Sequence, residues 1–163
     1  MKNFIKNRKG FTLVELVVVI AIIGILAGIA VPRFLDATAS ARGAKIVADM
    51  RTLQSAEMVY YAKFASYPTG DDDTAFKALI QGGFPTPPNG KFSIARVLNT
   101  GGASVGETSS ANGYIYTVGN ATDHQTPGTV TVPVTAVTAG TGETAIAAGN
   151  VNLTTLLGGT VTP

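Results

Sequence analysis

Residues 13–31 read LVELVVVIAIIGILAGIAV, an apolar run of 19 residues interrupted by one charge, Glu15. As a helix the run would rise about 28 Å, close to the hydrocarbon thickness of a bilayer, so it predicts a helix able to span one. From residue 33 the pattern changes. Ile46, Met50, Leu53, Glu57, Tyr60 and Phe64 recur three or four residues apart, with Val47, Val59 and Tyr61 widening the stripe. That rhythm predicts an amphipathic helix over 33–66 whose stripe receives a sheet. Arg42, Lys45, Asp49, Arg51 and Lys63 fall mainly to solvent or to other chains. One continuous helix from Phe11 to Ser66 would be about 84 Å long, far more than a small globular domain needs.

Tyr67-Pro68-Thr69-Gly70 is a helix stop, because the residue before a proline is pushed out of the helical region. Asp71, Asp72 and Asp73 follow. A calcium loop of the EF-hand kind needs alternating oxygen ligands and a distal glutamate, which this stretch lacks. The acids therefore predict a solvated loop that caps a short helix at 74–82. FPTPPNG at 84–90 forms the next turn, and short β patterns begin after it. They are FSIARVL at 92–98, YIYTV at 114–118, TVTVPVTAV at 129–137 and a weaker stretch at 150–157. Val130, Val132, Val134 and Ala136 alternate with threonine and Pro133, which predicts one buried face and an edge position for the proline. The fold class is α+β: a long N-terminal helix, apolar then amphipathic, packed on a small antiparallel β-sheet head.

Charge sharpens the picture at the N-terminus. The net charge is +2, yet Lys2, Lys6, Arg8 and Lys9 supply four of the twelve basic residues and no acid precedes Glu15. Without residues 1–10, eight basic residues face ten acidic ones, a formal net of −2. The basic balance belongs to the leader and supports no nucleic-acid surface on the remainder; nucleic acid is not an expected partner. A basic cluster before an apolar run stays cytoplasmic, which places the C-terminus outside. An ordinary secretory signal peptide would show a small-residue cleavage site after the run, but Ala27, Ala30 and Val31 lead into Pro32 and Arg33. Glu15 is an acid near the start of the span. It is either a functional group, the default for an intramembrane carboxylate, or shallow enough to stay hydrated.

The string KGFTLVELVVVIAIIGILAGIAVPRF, residues 9–34, resembles the class III signal sequence of type IV pilins and type II secretion pseudopilins. The likeness is specific over 6–36 and extends loosely to about Pro68. It comprises the basic leader, Gly10, Phe11, Glu15 four residues later, and Pro32. The resemblance implies a division into a leader (1–10), a transmembrane and filament-core helix (11–32), an amphipathic helix of the head (33–67) and an exposed loop and sheet region (68–163). It implies cleavage between Gly10 and Phe11 by a prepilin peptidase. The same enzyme then N-methylates Phe11 with S-adenosylmethionine. It further implies a homopolymer in which Glu15 pairs with the Phe11 amine of a neighbour, and an inner-membrane assembly platform as partner. The run of long helix, Tyr-Pro and short helix ending near Ile80 also resembles major pilins and major pseudopilins.

Two features inside the span bear on assembly. Gly24 and Gly28 form a GxxxG spacing, which permits close helix approach but also arises by chance in so apolar a span. Pro32 removes one helical hydrogen bond, so the helix should kink or loosen there.

The remaining chemistry is sparse. With no cysteine there is no disulfide and no thiolate, and with one histidine, His124, no metal or catalytic cluster is evident. No cofactor, no metal and no enzymatic activity are expected. Fifteen of the last 67 residues are threonine and eleven are glycine, and no Lys or Arg follows Arg96. Such a tail is either a displayed threonine-rich sheet or partly loop. Asn120 and Asn152 begin N-x-T sequons. The expected function is a type IV pilus subunit serving adhesion or motility. The alternatives are a type II secretion pseudopilin in the periplasm or a competence pilin for DNA uptake.

Overall fold

The computed structural model describes residues 10–70, 73–95, 102–109, 116–119, 125–135 and 137–158. The chain divides into two compact units, Met1–Asp36 and Ala37–Pro163. Helix α1 runs Leu13–Phe64, 52 residues with Pro32 inside it. The helical assignment is unbroken at Pro32, so the expected loosening is not seen there.

In the first unit every described residue from Gly10 to Asp36 is exposed. In the second, α1 turns a narrow face inward: Ala39, Gly43, Ile46, Met50, Leu53, Ala56 and Glu57 are buried at helical spacing. The stripe is narrower than the sequence predicts. Val59, Tyr61 and Phe64 stay exposed, because beyond α1 the aromatic rings of the last turns meet just Phe76, against Tyr60, and Tyr67, stacked on Tyr61, among the described residues.

The helix ends before the Tyr-Pro signal. Ala65 adopts φ 54°, its N–H donates to the Tyr61 carbonyl at 2.8 Å, and the chain leaves the helix through this left-handed residue. Asp73 then caps α2 (Thr74–Lys77), accepting from the Ala75 and Phe76 N–H groups at 2.8 and 3.0 Å. The cap is as expected, but the helix is only four residues long and continues as turns to Gly83.

Among the described residues six strands follow: β1 (Gly90–Ala95), β2 (Ala103–Thr108), β3 (Thr117–Val118), β4 (Val130–Val134), β5 (Glu143–Ala145) and β6 (Gly149–Asn152), then the short helix α3 (Leu153–Leu156). They form two three-stranded sheets, ordered β1-β2-β5 and β3-β4-β6. All pairings are antiparallel except β2 with β5, so one sheet is mixed. Among the described residues a single bridge, Glu107 with Thr135, joins the sheets. The predicted strand at 92–98 starts two residues early, and its last three residues lie outside the described ones, as do residues 114–115 of the next. The strand at 129–137 is β4. Strands β2 and β5 lie where no alternation announces them, and half of the stretch at 150–157 is helix α3 because Asn152 caps it.

Pro133 is not at an edge. β4 is the middle strand of its sheet, with Pro133 opposite Asn150 of β6. The reason lies on the other flank. Gly119 N–H bonds the Thr129 carbonyl and Thr135 exchanges both bonds with Glu107. By two-residue alternation Pro133 shares that flank, and it falls between those two pairings, where no described strand asks for a donor.

The core gathers Ile46, Met50 and Leu53 of α1 with Phe76, Phe92, Tyr116, Val130, Val132 and Leu156. Burial of this apolar area is the main stabilising term for a head that has no disulfide.

Candidate functional site

The segment that the sequence singles out is the start of α1. Phe11 is 86% exposed and Gly10 is exposed beside it, so both residues flanking the expected cut are accessible. Thr12 precedes the first helical residue, Leu13, and Glu15 is the third. Glu15 Oε2 accepts from the Thr12 N–H at 2.9 Å and from the Thr12 hydroxyl at 2.8 Å, while the Glu15 N–H donates to Thr12 Oγ1 at 3.2 Å. This is a reciprocal capping box: each side chain serves a backbone N–H that the helix itself cannot bond. The T-x-x-E spacing of Thr12 and Glu15 carries that signal, a local role for Glu15 beside the one expected in assembly.

The structure brings Thr12 and Glu15 together and leaves the other expected assembly residues apart. A Cβ added at Gly24 or Gly28 would meet nothing within 4 Å. Leu13, Leu16, Ile20, Ile23 and Leu26 are all at least half exposed, so the apolar run offers its whole circumference. The helix holding it is long and apolar enough to cross a membrane, with a window of mean hydropathy 2.9.

In the head, charged side chains expected at the surface tie α1 to the β region. Tyr116 is fully buried and its hydroxyl donates to Asp49 Oδ2 at 2.9 Å. Burial first, then the hydrogen bond and charge of Asp49, push the Tyr116 phenol far up, so it stays protonated. Lys45 bridges to Asp49 and donates to the Thr86 carbonyl at 3.1 Å, and Arg42 donates to the Lys91 carbonyl at 3.3 Å. The Tyr60 hydroxyl donates to Asp73 Oδ2 at 3.0 Å. Burial raises the Asp73 carboxyl, but the Phe76 N–H, the Tyr60 hydroxyl and the Ala75 N–H outweigh it and hold the group below its ordinary value. Glu57, part of the stripe in sequence, is 1% exposed. Burial pushes its carboxyl up to about 7, with the Gly128 backbone N–H pulling the other way.

Asn152 accepts from the Thr155 N–H and hydroxyl, both at 2.9 Å, so this sequon residue is engaged as a helix cap. Asn120, His124 and the acids Asp71 and Asp72 lie outside the described residues. Among the described residues no three His, Cys, Asp or Glu side chains gather as metal ligands would.

Residues 5–31 match the prokaryotic N-terminal methylation motif. The chain is similar to type IV pilins. It is 48% identical over 65 residues to the type IV narrow pilus major component of Thermus thermophilus, covering 40% of this chain and 56% of that protein. It is 43% identical over 61 residues to a type IV major pilin protein of Neisseria gonorrhoeae, 37% of each chain. It is 34% identical over 67 residues to the type IV major pilin protein of Myxococcus xanthus, 41% of this chain and 30% of that one. The chain thus spans little more than half the length of the first pilin and about a third of the others. No solved structure matches.

Proposed function

We propose that this chain is the precursor of a structural subunit of a type IV pilus. A prepilin peptidase cuts between Gly10 and Phe11 and methylates the new Phe11 amine with S-adenosylmethionine. Residues 11–32 first hold the subunit in the cytoplasmic membrane, C-terminus outside, and then pass through an assembly platform into the core of a homopolymer. Residues 33–67 carry the head, and residues 68–163 provide what the filament displays for adhesion or motility.

The observation that carries this reading is the exposure of α1 before Asp36: a run of Leu, Ile and Val with no cover among the described residues. Apolar surface on that scale is stable only in lipid or against copies of itself. A membrane anchor alone would need neither the methylation motif nor a capped acid at its start. The named relatives are pilus components, which favours a structural role over catalysis and a surface pilus over a secretion filament.

The test separates the charge of Glu15 from its cap. Glu15→Gln keeps an acceptor for the Thr12 N–H but removes the charge. It is expected to be cut and inserted normally and to yield few sheared filaments, probed with antibody to the subunit. Wild-type filament yield from this variant removes the pairing role from the reading.

A further inference from the structure

Glu57 has no evident use in holding the head together. Its carboxylate is buried on the core face of α1 beside Leu53 and Ala56, and Oε1 has no hydrogen-bond partner among the described residues. The Gly128 N–H serves the carboxylate, and a Cβ at Gly128 would stand 2.8 Å from Oε1. Glu57 and Gly128 also line a cleft of about 540 Å³ between α1 and residues 127–128, walled by Arg51, Gln54, Ser55, Met58 and Pro127. Arg51 is the cation of that wall, yet it is exposed and no ion pair joins it to Glu57 among the described residues. A buried acid left in this condition weakens the lone subunit.

We propose that the Glu57 cleft seats a basic side chain from a second copy of this chain, whose ammonium or guanidinium donates to Oε1 when subunits pack. The inference rests on the filament reading above. Charge complementarity within the chain supports it. Arg42, Lys45, Lys77 and Lys91 are engaged inside the head. Arg33 and Lys63 are exposed and make no ion pair or hydrogen bond among the described residues, so each copy carries unused cations and one unused buried carboxylate oxygen. Entry of a cation would supply the missing donor and stabilise the charged carboxylate, turning a defect of the monomer into a contact of the polymer.

Two measurements on the full-length protein test this. In detergent, Glu57→Leu should melt at or above the wild-type temperature, since an unpaired acid is replaced by an apolar group of similar size. In cells the same variant should lower sheared filament yield by about tenfold, the loss of one good ion pair. A photo-reactive residue in place of the half-exposed Met58, on the cleft wall, should cross-link subunits in intact filaments to a peptide containing Arg33 or Lys63. Unchanged filament yield for Glu57→Leu overturns the proposal. So does a parallel fall in melting temperature and yield, which marks a structural role, or a cross-link confined to one subunit. Absence of filaments from the wild-type chain overturns the filament reading itself, and this inference with it.

Discussion

A Cβ placed on Gly43 would stand 2.0 Å from the carbonyl oxygen of Ser93, so helix α1 and edge strand β1 meet with no side chain between them. Only glycine permits this approach. Gly43→Ala must drive the helix off the strand or twist the strand away from the Ile94 side chain, which lies 2.9 Å from the same Cβ. The expected loss is about 2–4 kcal/mol, as for an overpacked core, read from denaturant unfolding of the full chain in detergent.

Glu57 makes the head sensitive to pH. Its carboxyl is raised from 4.5 to about 7 in the folded head, chiefly by burial. An acid with a raised folded value holds its proton longer when folded than when unfolded. Its contribution is therefore complete below the unfolded value and is lost as pH rises through about 7. The loss is of order 3 kcal/mol between acid and neutral pH. Asp73, held below its ordinary 3.8, acts in the opposite sense and at lower pH, so the two do not overlap. Melting temperature should fall from pH 4.5 to pH 7 in the wild type and stay nearly flat in Glu57→Gln over that window.

Tyr116→Phe keeps the ring in the core and removes the bond to Asp49. Asp49 retains Lys45, so the carboxylate is not stranded and the cost stays near 1–2 kcal/mol. Asp49→Leu should cost more, because it leaves the buried phenol without an acceptor. A larger loss for the phenylalanine variant than for Asp49→Leu contradicts this ranking.

Ala65→Gly should stabilise the head. Ala65 holds φ 54° at the end of α1, a conformation that strains any residue with a Cβ. Glycine relieves the strain, offset in part by its freedom in the unfolded chain, for a net gain of about 0.5–1 kcal/mol in thermal unfolding.

The sequence makes the long helix legible because its signals are local and repeated: an apolar run, then buried positions three and four apart. It makes β4 legible by the alternation of Val130, Val132 and Val134. β2 escapes because three consecutive positions, Ser104, Val105 and Gly106, are buried, so no alternation survives. α3 escapes because the Asn152 side chain diverts the chain into a turn of helix within an otherwise strand-like stretch. The expected edge site of Pro133 fails because strand pairing is set flank by flank, and its free flank is visible only in the fold. At the N-terminus, Gly10, Phe11 and Glu15 stand out in the sequence, and the structure adds the bonds between Thr12 and Glu15. Glu57 hides in a hydrophobic rhythm that it fits by position and contradicts by charge.

The capping box has a consequence for how a filament would grow. Cleavage after Gly10 would place the new amine one residue from Thr12, whose N–H Glu15 already holds. That hydrogen bond satisfies the cap but leaves the Glu15 carboxylate charged. On the proposed reading, joining the filament would exchange the hydrogen bonds of the cap for an ion pair with a neighbour's amine. Permanence would then come from the apolar helix surface, and the charge at its tip would choose the register.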